Sequence, residues 1–252
     1  MANSEKFTGK AALYAQYRPD YPQQLIDDLI HENQLTPDSH VADIGAGTGI
    51  LTGQLLERGL HVQAIEPNNE MRARAEQTLA AYSQVEFFAT PAEATTLPPV
   101  SVDLITVAQA FHWFQPQQFK KECRRILKPG AQVALIWNSR DSQSPLIQQT
   151  DQICRKFCPG FSGFSGGMET IDPRIPAFFQ QGAYREETYQ HPLHYSLEQF
   201  IGRHLSASYA PKPEQPNYSA FIAALRSLFE KFQESKTVPF PNLTKLYFGK
   251  VG

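Results

Sequence analysis

Val41-Ala42-Asp43-Ile44-Gly45-Ala46-Gly47-Thr48-Gly49 reads as an apolar strand, then a turn with glycine at every second position, then the start of a helix. Glycines let the backbone turn sharply and approach a ligand with no Cβ in the way. The dinucleotide fingerprint G-x-G-x-x-G would need glycine at position 50, where Ile50 stands. Asp43 would also place negative charge close to a pyrophosphate. A nicotinamide or flavin nucleotide is therefore disfavoured. An acid beside a glycine turn suits a ligand carrying an ammonium and a sulfonium, such as the methionine end of S-adenosylmethionine.

Outward from this turn, short apolar runs alternate with helical patterns, the sequence form of βαβ units around a parallel sheet. Strands are expected at His40–Ile44, His61–Glu66, Val85–Thr90, Val102–Ala108 and Gln132–Asn138. Helices are expected at Thr48–Arg58, Asn69–Tyr82 and Gln117–Leu127, the last stopped by a turn at Lys128-Pro129-Gly130. Upstream, Pro22–Gln34 has helical spacing, and Phe7–Pro22 reads as an arm over the sheet edge. Downstream, 139–182 clusters Gly and Pro around two short helical patterns, more like a cap than a core layer. Glu186–His191 is a candidate strand, Ser196–Ser208 and Asn217–Glu234 are helical, and Lys245–Lys250 alternates like a closing edge strand.

With 252 residues, the reading is one domain over 1–252, divided into an arm and helix (7–34), a cofactor-binding core (38–140), a cap (141–210) and a C-terminal helix and edge strand (211–252). A formal charge of -2 disfavours nucleic acid and anionic membranes as partners. No apolar run is long enough to span a bilayer, and MANSEKFTGK lacks the apolar region of a secretory signal. Three cysteines, Cys123, Cys154 and Cys158, fit neither a disulfide framework nor a zinc site. No metal is expected, and the expected location is the cytoplasm.

Glu66, in Ala64-Ile65-Glu66-Pro67-Asn68, ends the second strand about 20 residues beyond the glycine turn, where a carboxylate can accept both hydroxyl protons of a ribose. These two motifs, with Ala92-Glu93 and the run Val102–Phe114, resemble the methyltransferase type 11 group over about residues 7–140. The N-terminal pattern F-x-G-x-A-x-x-Y-x-x-x-R-P-x-Y-P, found at Phe7–Pro22, is similar to a subset that includes relatives of trans-aconitate methyltransferase.

The resemblance implies a class I, Rossmann-like α/β fold: a mostly parallel seven-stranded sheet with helices on both faces, the last strand antiparallel, plus a helical cap. It implies an S-adenosylmethionine-dependent methyltransferase, of EC 2.1.1 type, that yields S-adenosylhomocysteine. Asp43, Gly45, Gly47 and Gly49 would then surround the methionine moiety, with Ala108 and Gln109 beside it, and Glu66 would hold the ribose. Pro67 and Met71 would flank the adenine, and the backbone around Ala92 would meet its edge. Tyr14 and Arg18 would close over the cofactor, Arg18 pairing its carboxylate. Pro91 stands where related sequences carry a polar residue, which leaves Glu93 or a main-chain carbonyl to accept from the adenine amino group.

Phe111-His112-Trp113-Phe114 follows the fourth strand, at the edge where open α/β sheets bind ligands. His112, Trp113 and Phe114 are the candidate substrate wall. His112 is either a general base or a hydrogen-bond partner of a neighbouring loop, and the aromatic rings either touch ligand or pack the next helix. The expected acceptor is a small molecule, with Arg18, Arg140, Arg174 and Arg203 available to a carboxylate. Composition leaves the oligomeric state unread. Two alternatives are a non-catalytic S-adenosylmethionine- or S-adenosylhomocysteine-binding protein and, less favoured, a Rossmann oxidoreductase.

Overall fold

The computed structural model describes residues 18–164 and 172–252. Residues 7–17 of the arm, Tyr14 included, therefore lie outside the described residues. Helix α1 (Gln23–Glu32) buries Leu25, Ile26 and Leu29 on one face. The repeating units follow: β1 (His40–Ile44), α2 (Ile50–Leu56), β2 (His61–Ile65), α3 (Asn69–Thr78), β3 (Val85–Phe88), β4 (Val102–Ala108), α4 (Pro116–Ile126) and β5 (Leu127–Arg140). Then come α5 (Pro145–Phe157), α6 (Arg174–Phe178), β6 (Arg185–Gln190), β7 (Leu193–Tyr195), α7 (Leu197–Leu205), α8 (Tyr218–Phe232), β8 (Val238–Phe240) and β9 (Asn242–Gly249).

The main sheet has seven strands in the order β3-β2-β1-β4-β5-β9-β6. Strands β1 to β5 pair in parallel, and β9 inserts antiparallel between β5 and β6. This is the Rossmann-like α/β fold. Both faces are covered, as an all-apolar strand demands. Alternate residues of one strand serve opposite cores: Ala42, Ile105 and Val133 pack with Phe111, Phe119 and Phe178, whereas Val41, Leu104 and Ala134 pack with Leu25, Ile26 and Leu55.

Where the structure departs from the reading of the chain, the cause is contact between segments distant in sequence. Lys128-Pro129-Gly130 makes no separate turn. Helix α4 passes directly into β5, Leu127 pairs with Val102, and a register shift before Leu104 takes up the irregularity while Gly130 adopts φ +86°. The short pair β7–β8 carries no hairpin signal because its strands are far apart in sequence. A third apolar cluster lies away from the sheet. It packs Leu146, Ile147 and Cys154 of α5 against Phe221, Leu225 and Phe229 of α8, with Phe200 of α7 and Phe240 of β8. The cap is thus built from two stretches of chain, with α8 supplying a wall to helices that precede it.

Candidate functional site

Three strand ends meet at the glycine turn. Gly45, Gly47 and Gly49 adopt φ of +75°, +60° and +82°, a backbone region that side chains with a Cβ resist. The reasons for glycine nevertheless differ. A Cβ on Gly45 would come within 2.5 Å of the Ala110 Cβ and 3.4 Å of the Phe114 ring. One on Gly49 would lie 2.8 Å from Leu79 and 3.1 Å from Ala75 of α3, so this glycine serves the packing of turn on helix. One on Gly47 meets nothing nearer than the Gly45 carbonyl at 4.0 Å. Its bare face is open.

The amides of Gly45, Ala46 and Gly47 are committed within the protein. Gly45 and Ala46 both donate to the Ile65 carbonyl at the end of β2, at 2.8 and 3.1 Å. The Gly47 amide donates to Glu66 Oε2 at 2.9 Å, and the Asn68 amide to Glu66 Oε1 at 2.8 Å. A phosphate-binding loop needs such amides free and aimed at its ligand. Here they lock an acid to the turn instead, which counts against a pyrophosphate and hence against the oxidoreductase reading. Burial pushes the Glu66 carboxyl up, and the two amides pull it back.

Asp43 lies directly beneath, 1% exposed. Thr52 Oγ1 donates to it at 2.6 Å and Thr106 Oγ1 at 3.0 Å. Burial raises its carboxyl to about 6, against the lowering influence of both hydroxyls. A small cavity of about 30 Å³ opens at this point, lined by Tyr21, Asp43, Gly45, Gly47, Thr48 and Ala108 among others. The Thr48 hydroxyl is buried with no hydrogen-bond partner among the described residues. An orphaned hydroxyl, a buried acid and an open glycine face make a site that fits a positively charged group bearing donors.

Around this centre, Asn68 caps α3 by accepting the Met71 amide at 3.0 Å, and Met71 is buried. Arg72 Nη1 donates to the Glu66 carbonyl at 3.0 Å, fixing the strand end from outside. Ala92 is buried; Glu93 Oε1 accepts the Gln115 amide at 2.7 Å and so anchors the start of α4. That contact occupies one of the two oxygens that the missing polar residue at 91 left for an adenine. Gln109 sits after β4 with φ +56°, its amide donating to the Ile136 carbonyl and its Nε2 to the Asn138 carbonyl at 3.1 Å. A non-glycine residue held in this region at a strand end is a strained position of the kind found at ligand sites.

The aromatic run divides. Phe111 is wholly buried, edge-on to Trp137 and Phe178 at 6.2 and 5.0 Å, and belongs to the core. Phe114 covers Gly45 and packs edge-on against Phe119. His112 and Trp113 form a single 3₁₀ turn with ring centroids 4.4 Å apart, and His112 faces the Asp172 carboxylate electrostatically. Arg174 chelates that same Asp172 through Nε at 2.9 Å and Nη2 at 2.5 Å. Arg18 Nη2 donates to the Ser206 carbonyl at the end of α7, at 3.3 Å.

The sequence reading missed several of these residues. Thr52 and Thr106, which hold Asp43, lie nine and 63 residues from it in the chain and carry no pattern of their own. Tyr21 could have been found, since it belongs to the R-P-x-Y-P stretch already singled out. Asn138 gave no signal, although it is the junction of four segments.

Residues 42–135 match the model of a family described as a methyltransferase domain. An uncharacterized methyltransferase of Mycobacterium tuberculosis is 38% identical over 154 residues, 60% of this chain and 59% of the relative. The matched region thus spans less than two thirds of that protein. An uncharacterized methyltransferase of Schizosaccharomyces pombe is 28% identical over 96% of this chain and 95% of its own. Among solved structures, a candidate type II methyltransferase of Anaeromyxobacter dehalogenans superposes with a TM-score of 0.62 at 22% identity, covering 93% of this chain and 98% of that one. At that identity the likeness speaks for the fold.

Proposed function

We propose that the chain is a class I methyltransferase that transfers a methyl group from S-adenosylmethionine to a small-molecule acceptor, a reading supported by the methyltransferase-domain match and by its similarity to methyltransferases of Mycobacterium tuberculosis and Schizosaccharomyces pombe. The observation that carries this reading is the pairing of two buried acids around an open glycine: Glu66, clasped by the Gly47 and Asn68 amides, and Asp43 beneath them.

In this reading Asp43, Thr48 and the bare face of Gly47 receive the methionine ammonium, with Ala108 and Gln109 alongside. Glu66 retains lone pairs beyond the two amide contacts and accepts from the ribose hydroxyls. Pro67, Met71 and Ala92 bound the adenine. When bound, the cofactor supplies a methyl carbon on a sulfonium, displaced in line by the acceptor's nucleophile. The protein's part is positioning and exclusion of water, tasks that need no diagnostic catalytic group.

A cavity of about 470 Å³ beyond the carboxyl edge of β5, lined in part by Trp137, Arg140, Phe164 and Tyr247, is of a size for a small acceptor. Cys123, Cys154 and Cys158 are buried thiols outside any disulfide, which supports a reducing compartment, the cytoplasm. The test is calorimetric titration with S-adenosylmethionine and S-adenosylhomocysteine of the wild type, Glu66→Ala and Gly47→Val. Micromolar binding lost in both variants is expected. Equal binding by all three proteins, or none by the wild type, would overturn the reading.

A further inference from the structure

Three of the four arginines that the sequence offered to a carboxylate converge, and the fourth does not. Arg174 is neutralised by Asp172. Arg18, Arg140 and Arg203 instead crowd together where the sheet meets the cap, close enough that Arg203 is lowered first by burial and then by the charges of Arg18 and Arg140. Arg140 is lowered likewise, by burial and by Arg18.

Among the described residues neither Arg140 nor Arg203 is in an ion pair. Among the described residues the Nε atoms of both are buried without a hydrogen-bond partner, and Arg203 is only 4% exposed. The Arg140 guanidinium lies 4.2 Å over the Phe164 ring, a contact that orients the plane and leaves its donors unspent. Tyr195, whose hydroxyl is also buried, stands within reach of Arg203, which pulls the phenol down against the raising effect of its burial, and Tyr209 adjoins both arginines. The surface arginines behave differently: Arg58, Arg155 and Arg185 each have a carboxylate at hand.

Buried cations without counter-ions destabilise a fold unless something supplies the missing charge. Resting on the methyl-transfer reading, we propose that Arg140 and Arg203, with the Tyr195 hydroxyl, bind an anionic group of the methyl acceptor, a carboxylate or a phosphate. The placement suits an acceptor. Arg140 is the last residue of β5 and lines the cavity of about 470 Å³. Two residues earlier, the Asn138 carbonyl accepts the side chain of Gln109, which follows the strand beside the glycine turn. The acidic residues that share the cavity are engaged elsewhere: Asp172 by Arg174, Asp151 by Arg155, and Asp141 by the Gln143 amide. A planar guanidinium on an aromatic face matches the planar fork of a carboxylate or the oxygens of a phosphate.

The experiment titrates the full chain with succinate, with inorganic phosphate and with neutral succinamide, each with and without saturating S-adenosylhomocysteine. Variants are Arg140→Gln, Arg203→Gln and the charge-retaining Arg203→Lys. The expected result is binding of succinate or phosphate but not succinamide, weakened about 10- to 100-fold in the two Gln variants and less in Arg203→Lys, with S-adenosylhomocysteine affinity within about twofold of wild type. Which of the two anions binds tells carboxylate from phosphate. Thermal melts guard against misfolding: without an anion, Arg203→Met should melt at or above the wild type, because it removes an uncompensated charge.

Indifference to charge among the three probes would overturn the proposal. So would a loss of S-adenosylhomocysteine affinity in the Gln variants with anion binding intact, which would assign the arginines to the donor's carboxylate. Absence of S-adenosylhomocysteine binding by the wild type would instead sink the donor reading, and the anion arm run without it would still be read.

Discussion

Gly47 donates its amide to Glu66 across 2.9 Å, so the glycine turn after β1 and the acid after β2 are one rigid unit before any ligand arrives. Removing the carboxylate in Glu66→Ala therefore does two things. It orphans the Gly47 and Asn68 amides, at a cost of about 1–3 kcal/mol in stability, and it deletes the acceptor for the ribose hydroxyls. Chemical denaturation should show the first. Calorimetry should show the second as a loss of about 10-fold or more in S-adenosylhomocysteine affinity. Glu66→Gln keeps one acceptor oxygen and should fall between; a Gln variant weaker than Ala would contradict this division.

Asp43 makes binding and stability respond to pH in opposite directions. Its folded-state value of about 6 exceeds the ordinary 3.8 because the carboxylate is buried. The folded state thus holds a proton that the unfolded chain releases first, so the group's contribution becomes less favourable as pH rises from about 4 to about 6, by on the order of 2–3 kcal/mol. Other carboxylates such as Glu122 and Asp172 are lowered and act with the opposite sign, so the readout is the difference between wild type and Asp43→Asn. The variant should gain relative stability above pH 6. A cationic ligand requires the ionised form, so S-adenosylhomocysteine should bind more weakly below pH 6, with proton release measurable in buffers of different ionisation enthalpy. A flat profile in the wild type would refute the role given to Asp43.

The three glycines should separate in their effects. Gly49→Ala combines a positive φ with a contact 2.8 Å from Leu79, and Gly45→Ala with one 2.5 Å from Ala110. Each should cost more than the roughly 1–2 kcal/mol of the backbone conformation alone. Gly47→Ala meets no such contact, so it should cost about that conformational amount and yet lose the most ligand affinity relative to its stability change. Equal stability losses at Gly47 and Gly49, read by urea denaturation, would contradict the assignment of Gly49 to packing.

What the chain disclosed before folding follows from how local each signal is. The glycine turn, Glu66 and the apolar strands are read from neighbours within a few residues, and β1 and β4 fall at the expected bounds. The continuous passage from α4 into β5 was hidden, because Pro129 and Gly130 signal a turn whereas the pairing of Leu127 with Val102, a tertiary contact, decides the conformation. The cap core was hidden for the same reason: α5 and α8 share a cluster across some 70 residues of chain. Among the four arginines, composition could not tell that Arg174 would be paired by a residue two positions away while Arg203 would be buried with no ion-pair partner among the described residues.

Asn138 joins the segment that carries Arg18 and Tyr21 to the sheet, and it is 9% exposed. Its Nδ2 donates to the Asp20 carbonyl at 3.1 Å, its Oδ1 accepts from Thr244 at 2.6 Å, and its own carbonyl accepts from Gln109 at 3.1 Å. Asn138→Ala leaves the backbone bond to Gln109 in place but strands the buried Thr244 hydroxyl and frees the 18–21 segment, at about 2–3 kcal/mol in stability. Because Tyr21 lines the cavity above Asp43, ligand affinity should fall as well, by about 10-fold, whereas Thr244→Val, which strands the Asn138 Oδ1 acceptor but leaves its Nδ2 bond to the 18–21 segment, should cost about 1–3 kcal/mol and leave affinity unchanged. Calorimetry and melting of the two variants side by side make the check. Unchanged affinity in Asn138→Ala would mean that the segment carrying Tyr21 is held by its other contacts, the Tyr21–Gln54 pair at 3.0 and 2.7 Å foremost among them.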